Sequence, residues 1–517
     1  MKTKEDLPGL IKSLSKSEKR YFKLFVGKNS IGEGSHYLKL FDLIDKTGTA
    51  KKQVIQKLYG NDSFMEQQFK KYKYRLYKQI LKSLSAYHSE KSVDDNILES
   101  IRQAKILFDR ALYPDATKML EKAKSIACKY EKFTLLLEII RWQKKIVNVW
   151  KFRENRNEKG IVQLVEEENS IAHKMDNANE YWKRYSLLYL SYQKKGVARI
   201  QEDVESFYSI IDVPVLKDPK FALSYQAKKD FYMTYIYYYF FITNLKEAYT
   251  YAKNMVDLIE AHPHQLEDNP SEYRNALSQL LFIAQRQKKY DLLFNSIPKL
   301  KFINKKFQLS FYHVLHTLNL ELSVCIETAQ FKRATHLIQE IEDISKKQKI
   351  KNPKYDLLQA NMSYLHFING EFSKALSKLN LILNNYQIHL NLDKDEHNSI
   401  KVFQLILHFD KGNTELLPYL LKSFYRHLMQ RKQLYKAESI FIGFIRRILI
   451  SKKNKWDQIE DFKSLREELL KICKDPMEAR FLENFDVISW LKSKIENRSF
   501  EEILREKSGY TLKEEND

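Results

Sequence analysis

The sequence predicts an all-α chain of stacked helical hairpins forming an α-solenoid, with a non-repeat helical region at the N-terminal end. Three observations predict it. Gly and Pro supply only 12 and 10 of the 517 residues, about 4% where average usage is roughly 12%, which excludes collagen-like, linker-rich and turn-dense all-β chains. Hydrophobic residues make up 44% and aromatics 13%, enough to bury large cores and to exclude disorder through low hydrophobicity. Apolar residues recur at helical spacing, as in Leu357, Ala360, Tyr364 and Phe367, and again in Ala375, Leu376, Leu379, Ile382 and Leu383.

In chain order, the first elements are helices over 17–25, 36–46, 50–59 and 64–88, with Thr47-Gly48-Thr49 as a short turn. Ser15-Lys16-Ser17-Glu18 has capping-box spacing, in which the Ser hydroxyl accepts from the third helical N–H and the Glu reaches back. The long helix carries Lys70, Lys71, Lys73, Arg75, Lys78 and Lys82, with no acid over 67–88, interleaved with Phe69, Tyr72, Tyr74 and Tyr77. Cationic heads at this density meet phosphates while rings stack, and helix, turn, helix and basic helix is the order of a helix-turn-helix reader. A structural account competes: Phe69, Leu76, Ile80 and Leu84 form an apolar stripe, which leaves the cations on an ordinary solvated face.

Further along, Asp218-Pro219, Asn269-Pro270, Asn352-Pro353 and Asp475-Pro476 each place an N-cap residue before a proline at the first helical position. Residues 231–245 form an uncharged run of fifteen with five tyrosines, shorter than the roughly 20 residues of a membrane-spanning helix. It reads as a buried helix whose phenols find partners. Asn369-Gly370-Glu371 reads as a tight turn between helices, Gly supplying the left-handed stop.

Self-comparison brings out a recurring unit: an aromatic or Leu, a small residue three later, and apolar residues four and seven beyond that. It occurs at Tyr113/Ala116/Leu120/Ala123, Leu245/Ala248/Ala252/Met255, Phe331/Ala334/Ile338/Ile341, Phe372/Ala375/Leu379/Ile382 and Leu434/Ala437/Phe441/Phe444, with Leu293 for the small residue at Tyr290/Leu293/Ile297/Leu300. The anchors 290, 331 and 372 are 41 apart, a period of helical arrays whose single units cannot bury their own faces. The chain here resembles the tetratricopeptide-repeat superfamily, most clearly over 364–383, where Gly370, Phe372, Ala375 and Leu379 sit at that motif's spacing. The motif's Trp, Leu-Gly and closing Pro are missing. The resemblance implies a concave groove binding a protein or peptide. It divides the chain into a basic helical region (1–92), helical repeats (93–450) and a C-terminal helical cap with an acidic tail (451–517).

Net charge is +22, which invites an anionic partner; abundant Lys, Asn, Ile, Tyr and Phe is also what an AT-rich genome produces by codon drift. The excess concentrates at 67–88, 286–308 and 422–455. Cys128, Cys325 and Cys473 are distant in sequence and form no CxxC, and the charged start has no apolar leader after it, so a cytoplasmic protein without disulfides or zinc is expected.

Chemistry is sparse. Gly27 to Gly32 has P-loop glycine spacing, but Glu33 stands where Lys is needed, so a flexible loop is expected. His313 and His316 are one helical turn apart near Glu321, but Phe311, Leu315, Leu318 and Leu322 make that helix a core element and no second ligand pair is present. Asn391, Asp393, Asp395 and Glu396 lack the glycine of a Ca²⁺ loop. Trp142, Trp150, Trp182, Trp456 and Trp490 each sit in an apolar helical pattern and read as core. No catalytic residue, cofactor or metal is expected. The reading is a non-enzymatic scaffold for a protein or peptide partner, and the alternative is a nucleic-acid-binding regulator using the basic N-terminal helix. An enzyme would need a deep pocket gathering polar groups.

Overall fold

The computed structural model describes residues 6–29, 34–49, 63–88, 92–150, 158–348, 353–384, 394–430, 436–450, 455–482 and 485–509. Among the described residues there is no strand, and the fold they form is all-helical. It divides into two compact units, Met1–His173 and Lys174–Asp517.

The first unit contains α1 (Leu7–Ser13), α2 (Lys16–Asn29), α3 (Gly34–Thr47), α4 (Ser63–His88), α5 (Val93–Asp109), α6 (Tyr113–Lys129) and α7 (Phe133–Val149), and the division falls inside α8 (Glu158–Lys195). The second contains α9 (Gln201–Ile211), α10 (Tyr225–Phe241), α11 (Leu245–Glu260), α12 (Pro263–Asp268), α13 (Pro270–Arg286), α14 (Tyr290–Lys306), α15 (Phe311–Glu327), α16 (Phe331–Gln348), α17 (Pro353–Ile368) and α18 (Phe372–Leu383). It continues with α19 (Lys394–Asp410), α20 (Leu417–Gln430), α21 (Lys436–Ile450), α22 (Lys455–Ile472), α23 (Pro476–Ala479), α24 (Val487–Glu496) and α25 (Phe500–Ser508). The expected helix over 50–59 lies outside the described residues. The capping box is present: Glu18 N–H donates to the Ser15 hydroxyl at 3.2 Å and Ser15 N–H to the Glu18 carboxylate at 2.7 Å.

Helical hairpins repeat one turn. The residue two before the next helix is left-handed in six of them: Ala111 (φ 62°), Glu131 (51°), Thr243 (63°), Lys288 (57°), Ala329 (57°) and Gly370 (73°). The residue after it donates to a carbonyl five residues back, as Leu112 to Leu107 (3.0 Å), Asn244 to Tyr239 (2.8 Å), Gln330 to Cys325 (2.8 Å) and Glu371 to His366 (2.8 Å), the long bond of the Schellman motif. That same residue caps the following helix, its carbonyl accepting from Ala116, Ala248, Ala334 or Ala375 at 3.0–3.1 Å. The small residue of the recurring unit is thus the fourth of its helix and is fully buried at Ala116, Ala248, Ala334 and Ala375. A short side chain there lets the second helix approach the first closely. Sequence reading placed glycine at one such turn; the other five carry Cβ atoms in the left-handed region.

Neighbouring helices pack in succession, and α13 also lies against α11 and α15, as α15 does against α17. Polar contacts follow the same step. Lys229 pairs with Glu272 at 2.5 Å, Gln285 donates to Ser323 at 2.7 Å, Asn361 to Asn319 at 2.8 Å and Lys378 to Glu342 at 2.6 Å, each 36–43 residues apart in sequence. The tyrosine-rich run is α10, with Phe231, Ile236, Tyr238 and Phe241 buried. Phenols from α8 and α10 pin the connection before it: Tyr181 donates to the Val215 carbonyl at 2.6 Å and Tyr235 to the Leu216 carbonyl at 2.7 Å. Burial pushes both phenols up to about 12.

These turns predict opposite outcomes for one kind of exchange. Thr243→Gly is expected to stabilise the chain by about 1 kcal/mol, because a β-branched residue at positive φ is strained. Gly370→Ala is expected to destabilise it by about 1 kcal/mol through backbone strain, since an added Cβ at Gly370 meets nothing within 4 Å. Urea denaturation of both variants against the parent checks the pair.

Candidate functional site

The basic helix of the sequence is α4, and its apolar stripe docks it onto α1–α3. Leu76 and Ile80 are fully buried with Leu7, Ile11, Phe22, Val26, Leu40, Phe41 and Ile44. The opposite face carries Lys71, Arg75, Lys78 and Lys82, all exposed, at i, i+4, i+7 and i+11, and so on one stripe. Tyr74 is half exposed beside them, with the Lys78 ammonium 5.6 Å from its ring centre. Lys73 is half-buried, while Tyr72 and Tyr77 pack against the core. The side chains of Phe69 and Lys70 lie outside the described residues. Lys71, Lys78 and Lys82 form no ion pair with described residues.

A second cationic stripe, which sequence reading passed over, lies on α2. Lys16, Lys19, Arg20 and Lys23 line a shallow depression with the exposed Leu24. Lys19 pairs with Asp45 and Lys23 with Asp42, both at 2.6 Å, tying α2 to α3. Its signal was legible as i, i+3, i+4 and i+7 spacing of like charges. Gly27, expected in a loop, lies inside α2, because the helix continues to Asn29.

The other two basic stretches differ in kind. In 286–308, two lysines are bound into the fold: Lys299 holds Glu260 at 2.8 Å, and Lys301, together with Arg333 of α16, clamps the buried Glu321 carboxylate at 2.5 and 2.6 Å. Of the third stretch, α20 presents Tyr419, Lys422, Tyr425, Arg426 and Met429 to solvent along one side, Tyr419 being 75% exposed. Lys422 and Arg426 form no ion pair with described residues. Sequence reading noted only charge there; the missed signal is aromatic residues and Met falling on the polar side of an amphipathic helix, whose other side buries Leu417, Leu421, Phe424 and Leu428.

Trp142 and Trp490 are core residues as expected, whereas Trp182 is 60% exposed. The reason is register. Tyr181 and Leu188 of α8 turn into the core and leave Trp182 outside. His313 bonds the Ser310 hydroxyl at 2.9 Å, and among the described residues no His, Cys, Asp and Glu group assembles for a metal. The Asn391 to Glu396 side chains lie outside the described residues. The three cysteines form no disulfide, and burial pushes the Cys325 thiol up to about 12, away from nucleophilic use. No described helix is long and apolar enough to cross a membrane.

Structural and surface cations should separate by substitution. Replacing both Lys301 and Arg333 with Gln strands a buried carboxylate and is expected to cost about 3 kcal/mol. Replacing Lys78 and Lys82 with Gln is expected to change stability by less than about 0.5 kcal/mol. Paired thermal and urea melts measure both. No protein-family model, curated protein or solved structure matches the chain.

Proposed function

We propose that the chain is a non-enzymatic helical-repeat scaffold of tetratricopeptide-like type that docks a protein partner on the outward side of α20. The repeat reading is supported by the recurring left-handed turn, the buried small residue after it, and polar contacts stepping 36–43 residues from helix to helix. The observation that carries the functional reading is the composition of one exposed surface. Tyr419, Tyr425, Arg426 and Met429 share one helix. Tyr, Arg and Met are residue types enriched where proteins meet, and Tyr and Arg, with Trp, are over-represented among the few residues that carry most of the binding energy there.

A fixed helix presents these side chains without the entropy cost of ordering a loop. Lys422 and Arg426 add two charges that no described residue neutralises, so the matching partner surface carries acidic residues beside an apolar pocket for Tyr419. Capture of partners from the native lysate on the full-length chain, quantified by mass spectrometry, tests this. One partner is expected to fall at least tenfold in recovery with both Tyr419→Ala and Arg426→Glu, at unchanged melting temperature. Recovery of the same proteins in the same amounts by all three chains would contradict it.

A further inference from the structure

We propose that the N-terminal helices α1–α4 form a binding surface for single-stranded nucleic acid, separate from the partner site on α20. The inference begins with where the carboxylates go. Over residues 6–88 the sequence has seventeen Lys and Arg against seven Asp and Glu, so +10 of the chain's +22 lies in 83 residues. The carboxylates with described side chains are all engaged inside the fold. Asp6 caps α1 through Gly9 N–H, Glu18 completes the capping box, and Asp42 and Asp45 hold Lys23 and Lys19. Lys16, Arg20, Lys71, Lys78 and Lys82 are left exposed without an ion pair to described residues. Codon drift adds lysines, but it gives no reason for the described acids of one module to be consumed by caps and α2–α3 pairs while Lys16 and Arg20 of α2 and Lys71, Lys78 and Lys82 of α4 stay exposed without an ion pair to described residues.

Geometry favours a strand of phosphates over other anions. Lys71, Arg75, Lys78 and Lys82 rise along α4 in steps of about 6, 4.5 and 6 Å, a row of heads able to meet successive backbone phosphates. The half-exposed Tyr74 ring stands in that row, supplying the base-stacking platform that single-strand binders combine with such a track. A membrane surface fits less well. A helix lying on lipid must offer its apolar side, whereas Leu76 and Ile80 of α4 are spent on the core of the module. An acidic protein would match the charge but has no use for a row of heads flanking one ring.

The test uses the full-length chain and fluorescence anisotropy with labelled mixed-sequence single-stranded DNA and RNA of about 20 nucleotides. Polyglutamate and phosphatidylserine-containing vesicles serve as competitors. Five phosphate contacts predict an affinity falling about 10²-fold between about 50 and 200 mM salt. The Lys71→Gln/Lys78→Gln/Lys82→Gln variant is expected to weaken binding and flatten that salt dependence, Tyr74→Ala to weaken binding without flattening it, and Tyr419→Ala to leave it unchanged. Circular dichroism melts confirm that each variant folds. Absence of binding at low salt, an unaltered triple variant, or displacement by polyglutamate or vesicles at lower phosphate or carboxylate concentration than unlabelled oligonucleotide would each overturn the proposal. Loss of binding with Tyr419→Ala would also overturn it, because the nucleic-acid surface would then not be distinct from α20.

Discussion

The helical hairpins depend on a single backbone constraint: the two-residue turn in which a left-handed residue ends one helix and the next residue caps the following one. The turn leaves two helices antiparallel with no slack, so the fourth residue of the second helix faces the first at close range. Where that residue is alanine the backbones approach closely, as at Ala116, Ala248, Ala334 and Ala375. Leu136 of α7 and Leu293 of α14 are buried at the same point, so the step accepts a larger side chain at two of the six turns. Stability in such an arrangement resides in interfaces between neighbours, with no single helix able to stand alone.

Polar side chains reinforce those interfaces at intervals. Glu321, almost wholly buried, is tolerable because Lys301 reaches it from α14 and Arg333 from α16. Arg274 shows the opposite balance. Its guanidinium is buried and donates to the His313 carbonyl at 3.0 Å with no carboxylate among the described residues to offset the charge, and burial draws it down to about 10. Charges therefore divide into those that hold helices together and those left facing solvent, and total net charge does not distinguish them.

Much of this division was legible in the sequence, and the exceptions have physical causes. Helix class, the recurring anchor and the exposed stripe of Lys71, Arg75, Lys78 and Lys82 follow from 3.6-residue periodicity, which the local sequence carries. The turns were legible only at Gly370, because Ala111, Thr243 and Lys288 take up left-handed φ under packing that no local propensity encodes. Pairing was invisible for the same reason: Lys301 and Lys78 look alike until Glu321 is placed beside one of them. Trp182 was misplaced because α8 is apolar around more than one side, so periodicity did not settle which tryptophan side faces the core. The α20 surface was read as charge alone, since its tyrosines count equally well as core until Leu421, Phe424 and Leu428 occupy that role.

The measurement that tests the central claim most directly is hydrogen exchange, followed by mass spectrometry, on the intact chain carrying Ala334→Leu. Overpacking the fourth residue of α16 costs about 1–3 kcal/mol. If hairpins are held by their neighbours, exchange rises in α15 and α16 and, less strongly, in α13–α14 and α17–α18, while α10–α11 stays as in the parent. Exchange that rises in α16 alone, or uniformly from α10 to α18, would contradict a stack coupled through neighbouring hairpins.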